Sequence, residues 1–317
     1  LGFYEQLILF EKFENELRPY NIERPLWVFV GSKVIGNGSS KLTEKDKQNV
    51  SDVTKVVRFF QDILSNPAAL QEDIDKILNN RANLINTNGE DIFKNRFEYM
   101  RRHHPGASDI LEKVFHGVGQ MNALQIKKGD GEIGLSTLTG KRYFAVINIG
   151  DVGKYSKKLE EDLDGSISIQ DDHFTPSLFQ DIASSGSAVN ILIGSKKFIE
   201  GWNSWRVASM GLMNMGKGEG PQIIQLFGRG VRLKGKELSL KREGSAAVYQ
   251  IRALQTISIF GLNASYMSSF LSHIEKETPD YKDYDIALRF NDKKQWNNKI
   301  LTFKKRFKYF KRTFNDL

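Results

Sequence analysis

Four short apolar runs constrain this chain more than any other feature: residues 26–30 (LWVFV), 143–149 (YFAVINI), 189–193 (VNILI) and 207–213 (VASMGLM). Each is too short for a buried helix and lacks a regular polar alternation, so each reads as a strand covered on both faces. A fifth apolar run lies at 256–260. Between them the apolar residues recur at helical spacing. Residues 3–18 read as an amphipathic helix. Residues 52–64 read as another, with Val53, Val56, Val57, Phe60 and Leu64 on one face and Ser51 or Asp52 as cap. Further helices are expected near 152–161, 175–184 and 263–277. Strands alternating with such helices predict an α/β fold, a parallel sheet covered by helices on both faces. Gly129-Asp130-Gly131, between residues 123–127 and 132–137, signals a hairpin. Residues 66–120 read as mostly helical and polar, within an insertion ending near 140. Ligands of open parallel sheets bind beyond the carboxyl ends of strands, so the residues that follow each run carry the functional reading.

Composition excludes several classes. The 317 residues contain no cysteine, which removes disulfides, thiolate metal sites and cysteine nucleophiles. No apolar stretch reaches the roughly eighteen residues of a membrane helix. No signal peptide opens the chain, and a cytoplasmic location is expected. The first residue is Leu1, so the chain is expected to be a piece of a longer one. Net charge is +8, from 46 basic and 38 acidic residues. Six of the basic residues (Lys304, Lys305, Arg306, Lys308, Lys311, Arg312) sit in one acid-free stretch near the carboxyl terminus. The remainder is close to neutral, so a nucleic-acid partner must be argued from local placement.

Two stretches carry chemistry. Gly194-Ser195-Lys196-Lys197 opens the segment after the third run, which continues to Gly201, Trp202 and Asn203. Some twenty residues on comes Gln225-Leu226-Phe227-Gly228-Arg229-Gly230-Val231-Arg232, with the spacing QxxGRxxR. Arginines three apart share one side of a helical turn, so Arg229 and Arg232 can converge on one polyanion. Gly228 keeps the backbone accessible, and Gln225 lies a turn earlier. A planar cation offered from across a cleft stabilises the charge that spreads over a transferring phosphoryl group.

These stretches resemble the conserved motifs of superfamily-two helicases. QLFGRGVR resembles motif six, SKKFIEGWN motif five, and LWVFV with Gly31-Ser32 motif four, in the order of a second RecA-like lobe. The Glu-Gly-Trp form of motif five is most similar to the restriction-helicase branch, such as the Res subunit of type III restriction enzymes. The resemblance covers roughly residues 25–271. It implies a linking helix at 1–24, a RecA-like lobe at 25–278 and a carboxyl-terminal extension at 279–317. It implies ATP and Mg2+ held mainly by an N-terminal lobe outside this chain. Arg229 and Arg232 would reach the γ-phosphate, and Gln225 would couple its state to lobe closure. Gly201, Asn203 and Gly228 would lie near the nucleotide. Ser32, Ser195 and Lys196 would touch the backbone of DNA, or of RNA. Asn203 replaces the aspartate often found there, keeping an acceptor but losing the charge. A methylation or specificity subunit is a further partner implied by the branch.

Other features are weighed beside this. No Walker A loop is found. Residues 211–218 (GLMNMGKG) fit GxxxxGK but place Gly218 where Ser or Thr must meet magnesium. The fragment alone is therefore not expected to hydrolyse ATP. Trp202 and Trp205 either stack on bases or pack the core. Phe303, Phe307, Phe310 and Phe314 form a helical stripe that either docks on protein or meets nucleic acid. The five histidines show no metal-ligand spacing and are read as non-catalytic. No nuclease carboxylate cluster is found. The alternative to a motor lobe is a non-catalytic nucleic-acid or protein binding module on the same fold.

Overall fold

The structure, a computed structural model, describes residues 1–31, 44–86, 88–149, 151–163, 166–184, 186–194, 204–213, 227–228 and 230–262. All of them fall in one compact unit, Leu1–Ile274. Eight strands form a single sheet: β1 (Leu26–Gly31), β2 (Met121–Ile126), β3 (Glu132–Thr137), β4 (Ala145–Asn148), β5 (Ile169–Asp172), β6 (Ile191–Gly194), β7 (Val207–Met213) and β8 (Ser258–Leu262). Their order is β5-β2-β3-β4-β6-β1-β7-β8. Only the two pairings made by β3 are antiparallel. The fold is thus α/β with a mostly parallel sheet; the four expected strands are present as β1, β4, β6 and β7, and the fifth apolar run contributes β8.

The glycine-containing turn does form a hairpin, with Ala123 opposite Leu135 and Leu124 opposite Gly134. Both of its strands join the main sheet, β3 beside β4 and β2 beside β5. Strand β5 (IQDD) was not foreseen. It has one apolar residue and lies at the sheet edge, so neither burial nor alternation marks it.

Side chains of the central strands point alternately to the two faces, and each face has its own core. Leu26, Val28 and Val30 share one cluster with Val146, Leu192, Met210 and Leu212. Phe29 shares the other with Ala145, Ile147, Ile191 and Ile193. This second face receives Phe3 and Leu7 from α1 (Gly2–Lys12) and Val56 and Phe60 from α3 (Glu44–Ser65). It also receives Leu111 and Phe115 from α6 (Ala107–Phe115) and Tyr155 and Leu159 from α7 (Val152–Asp162). Phe60 is its pivot, edge-on to Phe29, Phe115 and Phe144 at centroid separations of 5.7, 5.6 and 6.2 Å.

Several helix boundaries differ from those expected. The helix expected at 3–18 ends at Lys12. A four-residue α2 (Glu14–Leu17) follows, then a 3-10 turn, Arg18–Tyr20, that carries Pro19 at its start. α3 begins at Glu44, well before the cap expected at Ser51 or Asp52. α4 (Pro67–Leu78) has proline at its first position and an Asn66 cap that accepts from Ala69 N–H at 3.1 Å. The helix expected at 175–184 is the shorter α8 (Leu178–Asp181), whose start Glu132 caps. That buried carboxylate accepts from the Ser177 hydroxyl at 2.5 Å and from Leu178 and Phe179 N–H at 2.8 and 3.2 Å.

The amino-terminal end of the sheet is tied by buried polar side chains. Asn190, fully buried ahead of β6, donates to Lys113 and Val114 carbonyls at the end of α6 (3.0 and 2.9 Å). Arg206, 2% exposed ahead of β7, donates to the Arg24, Ile182 and Val189 carbonyls at 3.0, 2.8 and 2.9 Å. Burial, with nearby Arg24, lowers the Arg206 guanidinium to about 10, which leaves it charged at neutral pH.

Among the described histidines, His116 is the half-buried one, and its ring nitrogen Nε2 meets the Ala188 carbonyl at 2.7 Å. Burial lowers its pKa, and Arg142, Arg24 and Lys113 act in the same direction. A depressed histidine favours the unfolded state once that state protonates. Stability is therefore expected to be full above about pH 6.5 and to fall as pH drops below it. The urea midpoint should drop between pH 7.5 and pH 5.5, and drop less in His116→Gln. An equal drop in both proteins would place the pH sensitivity elsewhere.

Candidate functional site

The residues singled out by sequence leave from strand ends, so register decides which of them meet. Val30 of β1 lies opposite Gly194 of β6, and Gly194 lies opposite Asn148 of β4. Gly31 lies opposite Met213 of β7. The carboxyl ends of four neighbouring parallel strands are therefore level. The chain leaves three of them into the segments that hold Ser32, then Ser195, Lys196, Gly201 and Asn203, then Gln225. Those six residues and Arg229 lie outside the described residues. What is described is that their points of departure are side by side.

Of the QxxGRxxR stretch, residues 227–228 and 230–232 are described. Phe227 is buried in the cluster of Val28, Val30 and Met210. Val231 N–H donates to Phe227 O at 2.9 Å, which closes a helical turn. Gly230 is buried face-down on β7: a Cβ there would stand 2.6 Å from Met210 Sδ and 2.8 Å from Ile257 Cδ1. Gly228 faces outward, and a Cβ there would meet nothing within 4 Å. The motif's two glycines thus do opposite things, one allowing close approach and the other leaving open space. Gly230→Val is expected to cost about 1–3 kcal/mol through overpacking, whereas Gly228→Ala should be nearly neutral. Urea unfolding of both variants checks this, and equal midpoints would remove the close packing from the account.

Arg232 does not sit with the strand exits. It follows the helical turn and is exposed, beside a cleft of about 370 Å³ walled by Pro25, Trp205, Val207 and Ile257. These residues precede or begin β1, β7 and β8, so the cleft lies at the amino-terminal end of the sheet, opposite the exits. Lys234 closes one wall through an ion pair with Glu23 at 2.5 Å and stands 5.9 Å from the Trp205 ring centroid. Trp205 is half-buried in that wall, partly packed and partly presented. Trp202 lies outside the described residues, as do the 303–317 stripe and most of the GLMNMGKG stretch.

Sequence reasoning missed the arginines that frame this end of the sheet. Arg206 is a structural tie, and its only signal was a charge placed directly before an apolar strand. Arg242 lines the cleft and donates to the Thr256 hydroxyl at 2.8 Å. Among the described residues no group of three His, Asp or Glu side chains is placed to hold a metal, and no helix is long and apolar enough to cross a membrane. Comparison with protein-family models, with curated proteins and with solved structures gave no match.

Proposed function

We propose that this chain is the second, RecA-like motor lobe of an ATP-dependent nucleic-acid helicase or translocase of superfamily two. In that reading helices cover both faces of its sheet, and a partner lobe outside this chain holds ATP and Mg2+. The observation that carries the reading is the level alignment of the β1, β6 and β7 carboxyl ends. Three motif-bearing segments depart from them, as the crevice of an open parallel sheet requires. Ser32, Ser195 and Lys196 would then line one backbone track, and Arg229 would reach the γ-phosphate with Arg232 and Gln225. Gly201, Asn203 and Gly228 would lie near the nucleotide. DNA is the expected track, with the motor belonging to a restriction or defence enzyme. The test is ATP hydrolysis by the lobe joined to its phosphate-binding partner, with and without duplex DNA. Absence of nucleic-acid stimulation would end the motor reading.

One observation favours the alternative, a non-catalytic binding module. Arg232 stands at the end of the sheet opposite the strand exits, so it and the track residues do not share a surface. Tight nucleic-acid binding with no stimulated hydrolysis would select that reading.

A further inference from the structure

Beside the Arg232 cleft lies a second one, of about 320 Å³, that shares Arg242 and Thr256 with it. Two further arginines line it: Arg96, from the loop before α5 (Glu98–His103), and Arg252, from α9 (Tyr249–Leu254). Both are exposed, and neither guanidinium has a hydrogen-bond or ion-pair partner among the described residues. The acids at this cleft are already committed. Glu5 is 5% exposed and accepts from the Tyr249 hydroxyl at 2.9 Å and from Tyr99 N–H at 3.0 Å, which caps α5. Glu98 pairs with Arg102.

The loop that presents Arg96 is held in a costly backbone form. Asn95 and Phe97 flank it at φ 64° and 58°, the left-handed region that a phenylalanine rarely enters. The Phe97 ring, 5.6 Å from that of Phe93, and the bond from Glu98 N–H to the Tyr249 hydroxyl at 3.1 Å lock that form. Three arginines thus line one opening, which shares Arg242 and Thr256 with the cleft walled by Trp205.

We propose that the Arg96–Arg242–Arg252 cleft binds phosphates of a nucleic-acid strand that continues past Trp205 in the neighbouring cleft. Forked guanidiniums suit phosphate oxygens, and an aromatic wall in a basic trough suits single-stranded nucleic acid. The proposal rests on the nucleic-acid part of the function above but places a second contact surface at the opposite end of the sheet from Lys196.

The test is fluorescence anisotropy of this chain with a labelled oligothymidylate across a salt series. The variants are Arg96→Ala/Arg252→Ala, Lys196→Ala/Lys197→Ala at the strand exits, and Lys76→Ala/Lys154→Ala as a charge-matched control on exposed helices. The arginine pair is expected to weaken binding about tenfold or more. It should also reduce the salt slope by about 1.4, the value for two lost phosphate contacts on a single strand. The control should change neither. Equal losses in the control and the arginine pair would overturn the proposal, since bulk charge would then suffice. Loss with the lysine pair but none with the arginine pair would overturn it while leaving the functional reading in place. A parent chain that binds no nucleic acid would remove both.

Discussion

Arg206→Ala is expected to destabilise this chain by about 3–5 kcal/mol. The side chain is buried, and its three donors satisfy the carbonyls of Arg24, before β1, and of Ile182 and Val189, at the two ends of the α8–β6 connection. Each carbonyl left unpaired in the interior costs roughly 1–3 kcal/mol, partly offset where water enters. The guanidinium's own desolvation is regained on removal, so the total falls below the simple sum. A loss of this size is a large part of the stability of a typical domain. Arg206→Lys should recover little, because an ammonium at the same depth cannot reach three diverging oxygens. Equilibrium urea unfolding followed by circular dichroism gives the measurement. A loss under about 1 kcal/mol would show that solvent replaces the guanidinium and that the tie is dispensable.

The second large effect concerns turnover. If the lobe supplies arginine fingers, Arg229→Ala and Arg232→Ala should each lower DNA-stimulated ATP hydrolysis by about a thousandfold or more, the scale set by fingers offered across a cleft. Lysine should not rescue either position, since it lacks the planar fork. Unchanged urea midpoints would separate this from misfolding, and Arg232, exposed beyond the helical turn, is well placed for such a substitution. Near-parental rates in both variants would sink the catalytic roles and leave the binding module.

The strands were legible because burial on both faces leaves a mark in sequence. LWVFV and the ILI of β6 have no polar position, and the structure pairs Trp27 with Ile191 and Phe29 with Ile193 within the sheet. The edge strand β5 leaves no such mark. Helix ends were less legible, since Glu132 caps the start of α8 through contacts that periodicity does not encode. The candidate segments were legible as order and spacing, of which the structure describes the points of departure at neighbouring strand ends. That Arg232 lies at the other end of the sheet was not legible, because it depends on how the turn at Gly230 packs on β7. Arg96 and Arg252 are far apart in sequence and carry no motif, so only the tertiary fold brings them to one opening.

Strand β1 lies between β6 and β7, so the earliest of the eight described strands pairs with the sixth and seventh. A ribosome must release the chain through Ile191 before either edge of β1 finds a partner, and through Met213 before both do. Until then its apolar edges face solvent or whatever else binds extended hydrophobic chain, while the β2–β3 hairpin forms early from near neighbours. Chains halted before Ile191 should therefore depend on chaperones far more than chains released at full length.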